Sequence, residues 1–292
     1  MPKLLSVQPG DAVAIVAPSG PFPADRYERG RAVLEARGLR VREYLPPRPQ
    51  GYLAGSDEER LAGLHAAFAD PEVRAVFAAR GGYGAMRLLP RLDVAALARR
   101  RKALVGFSDV TALHLALQAA GAASVHGPVV TRLGEEPPDA LDRLFSLLAG
   151  TAPPPLPGRT LVPGVAEGPL IGGNLSVLSR LVGTRWLPAL DGAILLLEDV
   201  GERPYRLDRM WTHLRLAGLL DRVAGVVLGD FTGCDDPGAG VEARQLMASF
   251  VAELGRPAID GFPIGHGDVH LAVPLGVRAR IEDGALLFPE AA

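Results

Sequence analysis

Three short stretches of this 292-residue chain end an apolar run on a side chain able to do chemistry. The first, "LVGFSDVTAL" (104–113), reads as the end of a buried strand, a tight corner at Ser108 and a helix. A serine on such a corner has its hydroxyl held clear of the sheet, beside the free N–H groups of a helix start that can stabilise an oxyanion. Gly106, two positions earlier, removes bulk, but Val110 stands where a nucleophile elbow has its second glycine, so the pattern is half matched. The plainer alternative is that Ser108 or Asp109 caps the helix beginning at Val110, and the local residues alone favour it. The second stretch, "AILLLEDV", ends a strand on Glu198 and Asp199. A carboxylate there either orients a histidine or sits in solvent. The third, "PIGHGD", sets His266 at a strand end between Gly265 and Gly267, where a substrate has room to approach.

Other candidates are weaker. His126 ends a strand beside Gly127, whereas His65, His114 and His213 fall in helical patterns and read as surface or packing residues. His266 and His270 are four apart, but Pro263, Gly265 and Gly267 argue against a helix and no HExxH is present, so the pair does not read as a zinc site. Ser19 in "APSGP" is a rival nucleophile, but Pro21 and Pro23 delay any helix behind it. In "ARGGYGAM", Gly81 and Gly82 either turn N–H groups toward an oxyanion or form a plain turn. "GPLIGGNLSVL" lacks the lysine of a phosphate-binding loop and does not read G-x-G-x-x-G.

These positions need a scaffold. The first half alternates strand-like and helix-like segments, which implies an open, mainly parallel α/β sheet with ligands beyond the carboxyl ends of its strands. Those ends read "APSGP", "ARGGYG", "GFSD" and "HGPV". The expected division is an N-terminal domain over 1–149, a Pro/Gly-rich linker over 150–169 and a C-terminal domain over 170–292. The second half opens with a glycine turn and a helix at "LIGGNLSVLSRLVGT" and closes with a hairpin around Asp283-Gly284. Ser108 would then meet Glu198 and His266 across a cleft between domains.

Composition narrows the function. The formal charge of −2 provides no basic face for nucleic acid or an anionic membrane. A single cysteine, Cys234, excludes an intrachain disulfide and a thiolate metal cluster, and it is not at a strand-to-helix corner as an amidotransferase nucleophile would be. No apolar run approaches membrane-spanning length and the N-terminus does not read as a signal peptide, so a cytoplasmic location is expected.

The stretches "VAIVAPSGP", "ARGGYGAMRLLPRLD", "LVGFSDVTALHLAL", "GGNLSVLSRLVGT", "LLLEDVGERPYRLDRMWTHLRLAGLL", "GVVLGDF" and "PIGHGDVHLAVPLG" together resemble the LD-carboxypeptidase family of serine peptidases. The resemblance implies a Ser–Glu–His triad of Ser108, Glu198 and His266, an N-terminal flavodoxin-like sheet with helices on both faces, and a C-terminal β-rich α/β domain. It also implies a homodimer, no metal and no cofactor. The implied substrate is a small peptide ending in a D-amino acid, the type activity being release of D-alanine from cytoplasmic murein tetrapeptide. A sister branch, which confers immunity to microcin C by cleaving a peptidyl-nucleotide amide, fits the same motifs. On this reading the N–H groups of Asp109 and Gly82 form the oxyanion hole. Arg80 or Arg203 binds the terminal carboxylate as a fork donor, with Gly81 and Tyr83 beside the substrate. The alternative from another class is a non-catalytic binding protein for a peptide or nucleotide.

Overall fold

The computed structural model describes residues 4–289. Five parallel strands form the first sheet: β1 (Ala12–Val16), β2 (Arg40–Tyr44), β3 (Val73–Ala78), β4 (Ala103–Gly106) and β5 (Ser124–His126). Their spatial order, 2-1-3-4-5, is that of a flavodoxin-like sheet. The runs "AVAIV" and "VRAVFA" are almost continuously apolar because both faces of the sheet are covered. Val13, Ile15, Ala75 and Phe77 point into one core with Tyr27 and Leu34 of helix Ala24–Ala36. Ala14, Val16, Val76 and Ala78 point into the other, with helices Asp57–Ala69 and Thr111–Ala119. The helix over Asp57–Ala69 starts on a full capping box in which Ser56 and Glu59 bond each other's backbone N–H.

The second sheet holds β6 (Leu156–Pro157), β7 (Arg159–Val162), β8 (Ala166–Asn174), β9 (Ile194–Val200), β10 (Gly225–Thr232) and β11 (Ala258–Asp260). After these comes β12 (Val273–Leu275), and then β13 (Arg278–Glu282) and β14 (Ala285–Leu287) complete this sheet. Strands β8 to β11 run parallel at its centre, flanked by antiparallel strands. β12 leaves it, pairing antiparallel with β5 of the first sheet so that Val273 lies opposite His126. The second half of the chain therefore completes the first sheet.

Two segments differ from the sequence expectation. Residues 150–169, expected as a linker, contain β6, β7 and the start of β8. β6 and β7 are the two edges of the second sheet, where proline's missing N–H costs no ladder bond. Gly172 and Gly173, expected in a turn, lie inside β8. They are small because neighbours press on them: a Cβ on Gly172 would stand 2.0 Å from Leu196 O, and one on Gly173 would stand 2.7 Å from Thr111 Oγ1. The hairpin forms at Asp283-Gly284, with φ of 51° and 74°, as a two-residue turn with both residues left-handed requires.

Candidate active site

The corner after β4 is strained. Ser108 has φ +62°, in the left-handed region that disfavours side chains, and opens a single 3₁₀ turn (Ser108–Val110) leading into helix Thr111–Ala119. Gly81 makes room for it, since a Cβ there would lie 2.8 Å from Ser108 Cβ and 3.0 Å from its hydroxyl oxygen. Gly106 makes room for Val110, whose Cγ1 would be 3.0 Å from an added Cβ. Val110 itself has φ −63°, so the second elbow glycine is not required. Neither Ser108 nor Asp109 caps the helix behind it. The Asp109 carboxylate instead accepts the N–H of Ala85 at 2.8 Å and so ties the corner to the glycine loop. Burial raises its pKa, against the hydrogen bond from the Ala85 N–H. Ser19 is completely buried, which removes the rival nucleophile from solvent.

Glu198 and Asp199 do not end their strand. β9 continues to Val200, and its alternation sends the two carboxylates to opposite faces. Glu198 is fully buried, and its Oε2 pairs with His266 Nδ1 at 2.6 Å. Gly265, with φ +127°, permits this approach: a Cβ there would stand 2.6 Å from the same oxygen. Asp199 accepts from Asn174 Nδ2 at 3.0 Å and from the backbone N–H and hydroxyl of Ser176 at 2.9 and 2.8 Å. Burial, then the Glu198 charge, raises its pKa to about 6. Asp199 thus anchors the helix start at Leu175–Arg180, while Glu198 serves the histidine.

His266 stands on an irregular loop. The strand expected to carry it ends at Asp260, because Pro263 and the left-handed Gly261 and Gly265 interrupt the ladder. Its ring packs 4.6 Å from that of Phe107, the residue immediately before Ser108. Phe107 is where the Glu198–His266 pair meets the serine corner. The other face of this cluster is closed by His270 and His126, both fully buried and joined Nε2 to Nδ1 at 3.0 Å. Burial holds both far below the ordinary histidine range. His126 is therefore a buried packing residue. His114 spans Ser124 Oγ and Gly106 O at 2.9 Å each, and burial pushes its pKa down to about 4. Among the described residues no group of three or more His, Cys, Asp or Glu is arranged to hold a metal ion.

The loop after β3 lies against the corner. Gly20 N–H bonds Gly81 O at 3.0 Å, and Arg80 donates to Pro21 O at 2.5 Å with its side chain otherwise exposed. Gly82 has φ +106°, and half-exposed Tyr83 meets the Tyr52 ring edge-on at 5.7 Å. Arg203 stands apart from this group. It precedes helix Pro204–Leu216 and pairs with Asp236 at 3.4 Å. Sequence reasoning missed Asp230 on β10, one of whose oxygens lies 2.6 Å from where a Cβ on Gly267 would be. Burial raises its pKa to about 6. The signal was available: like Glu198, it follows an apolar run within its strand.

Comparison with known proteins identifies the family. Residues 13–127 match the LD-carboxypeptidase N-terminal domain and residues 167–281 the C-terminal domain. The probable murein peptide carboxypeptidase of Bacillus subtilis is 38% identical over 96% of this chain and 91% of its own. The chain belongs to the LD-carboxypeptidase family. The crystal structure of muramoyltetrapeptide carboxypeptidase from Oxalobacter formigenes superposes with a TM-score of 0.84 at 35% identity, covering 94% of this chain and 97% of that one. The microcin C7 self-immunity protein MccF of Escherichia coli is 27% identical over 94% of this chain and 91% of its own. As a member of this family the protein is a carboxypeptidase of the serine peptidase class. No described helix is long and apolar enough to cross a membrane.

Proposed function

We propose that the protein is a cytoplasmic LD-carboxypeptidase that removes the terminal D-alanine from murein tetrapeptide through a triad of Ser108, Glu198 and His266. The observation that carries this reading is the 2.6 Å Glu198–His266 pair, packed through Phe107 against a serine held at φ +62°. Ser108 attacks the carbonyl before the D-residue while His266 takes its proton and then returns it to the leaving amine. Glu198, bonded to Nδ1, fixes the tautomer in which Nε2 is the base and stabilises the imidazolium. The N–H groups of Asp109 and Gly82 receive the oxyanion, one such donor being worth about 3 kcal/mol. Water then releases the acyl-enzyme. Arg80, on the loop against the corner, is the better placed of the two arginines to receive the terminal carboxylate, since Arg203 is paired to Asp236.

The relationship to MccF supports a second reading, hydrolysis of a peptidyl-nucleotide amide at the same serine. Purified enzyme assayed in parallel on murein tetrapeptide and on an aminoacyl sulfamoyl adenosine separates the two. Release of D-alanine alone is expected, and cleavage of the nucleotide alone overturns the first reading. A homodimer is proposed with it, and elution as a monomer removes that part.

A further inference from the structure

His266 and Ser108 lie on segments that leave strands of different sheets, so some contact must hold the histidine loop in register over the serine. Glu198 fixes one ring nitrogen but not the loop backbone that follows. That backbone is held from the opposite side, by two residues of the first half. Arg132, on helix Val130–Leu133 just after β5, donates from one guanidinium nitrogen to Gly267 O at 2.9 Å and to Asp268 O at 3.2 Å. Glu136, whose side chain is fully buried, accepts the N–H of His270 at 2.8 Å. The two side chains bond each other at 2.9 and 3.1 Å, so each fixes the rotamer of its partner.

We propose that the Arg132–Glu136 pair is a positioning device that holds the His266 loop against the sheet carrying Ser108. The two residues engage three backbone groups within the four residues following His266. A buried ion pair is weak evidence for stability, because desolvation offsets much of the attraction. This pair's partners make a different role plain, since its remaining hydrogen bonds go to the loop that bears the base. A second tie lies beyond it: His270 bonds His126, and β12 then pairs with β5. The segment 266–275 is thus stitched to the first sheet along its length, beginning at the pair. Neither residue touches the reacting atoms. Their effect is on the angle at which the imidazole meets the serine hydroxyl, where a displacement of about 1 Å costs on the order of 100-fold in rate.

This inference rests on the proposed triad, and its test separates the two. In Arg132→Ala and Glu136→Gln, kcat for D-alanine release is expected to fall about 10- to 100-fold with KM within about three-fold of wild type. Arg132→Lys, with a single ammonium in place of the fork, should recover part of the loss. The proton NMR resonance of His266 Nδ1–H, assigned by its loss in His266→Gln, should broaden or shift in Arg132→Ala even without substrate. Should Arg132→Ala fail to fold, Arg132→Lys and Glu136→Gln carry the test. Wild-type kcat and an unmoved Nδ1–H resonance in these variants, with only the melting temperature lowered, would overturn the proposal. Full activity in Ser108→Ala would sink the triad and leave the NMR result standing on its own.

Discussion

At the Ser108 corner the geometry is fixed by shape: Gly81 backs the serine, Val110 fills the space over Gly106, and the residue itself is held left-handed. At the His266 loop it is fixed by polar bonds from distant residues, Glu198 at 2.6 Å, Arg132 at 2.9 Å and Glu136 at 2.8 Å. The contrast follows from what precedes each residue. Ser108 is two residues beyond a strand and opens a helical turn, so local packing suffices. His266 is six residues beyond its strand, on a segment with no regular hydrogen bonding of its own. The corner should therefore be sensitive to added volume, and the loop to lost charge or lost hydrogen bonds.

The sharpest test of the first half of that contrast is Ser108→Gly. Turnover should fall about 10⁴-fold or more, while the melting temperature does not fall, because glycine relieves the left-handed strain. A drop in melting temperature would mean that Ser108 supports the fold. On the loop side, Glu198→Gln keeps the shape but removes the charge facing His266, and kcat should fall about 10³- to 10⁴-fold. Near-normal turnover in steady-state assay would break the assignment of Glu198.

Beneath both regions lies His114, whose folded pKa of about 4 is below the ordinary unfolded value of about 6.5. Above pH 6.5 neither state binds the proton. As pH falls the unfolded state gains it first, so stability declines through that window and levels off below about 4, by roughly 3 kcal/mol. His126 and His270 act with the same sign. Asp199 and Asp230, raised to about 6, act with the opposite sign, so the readout is a difference: between pH 8 and 4 the urea-measured stability of His114→Gln should fall less than that of the wild type.

Gly81→Ala places a methyl 3.0 Å from the serine oxygen. It should lower kcat about 10- to 100-fold and stability by about 1–3 kcal/mol, measured by kinetics and melting. The smallest contrast sets the two arginines side by side. Arg80→Ala should raise KM about ten-fold, the loss of one charge-assisted hydrogen bond to substrate. Arg203→Ala, breaking an exposed 3.4 Å pair, should change KM less than about two-fold. The reverse ranking in substrate titrations would exchange their roles.

The elements around the site were largely legible because their signals are local. "AVAIV", "SDEERLAGL" and the Asp283-Gly284 turn each contain the periodicity or the capping that forms them. Residues 150–169 were misread as a linker because proline and glycine mark sheet edges as well as loops. Gly172 and Gly173 were misread as a turn because the pressure that makes them glycines comes from Leu196 and Thr111, far away in the chain. Asp109 was expected at its own helix and serves the Ala85 N–H instead, a partner that sequence distance conceals.

By itself the sequence determined the candidates: a serine at a strand-to-helix corner, a carboxylate after an apolar strand, a histidine between glycines, and the ordered motifs that resemble one family. Only the tertiary structure decided which carboxylate faces the histidine, since adjacent residues on β9 point to opposite sides and strand alternation has no absolute phase until the neighbours are known. It alone decided that Ser19 is sealed, that His126 is packing, and that Arg132 and Glu136 reach the His266 loop. Each of these depends on contacts between residues distant in the chain, and a linear pattern encodes the partners without encoding their meeting.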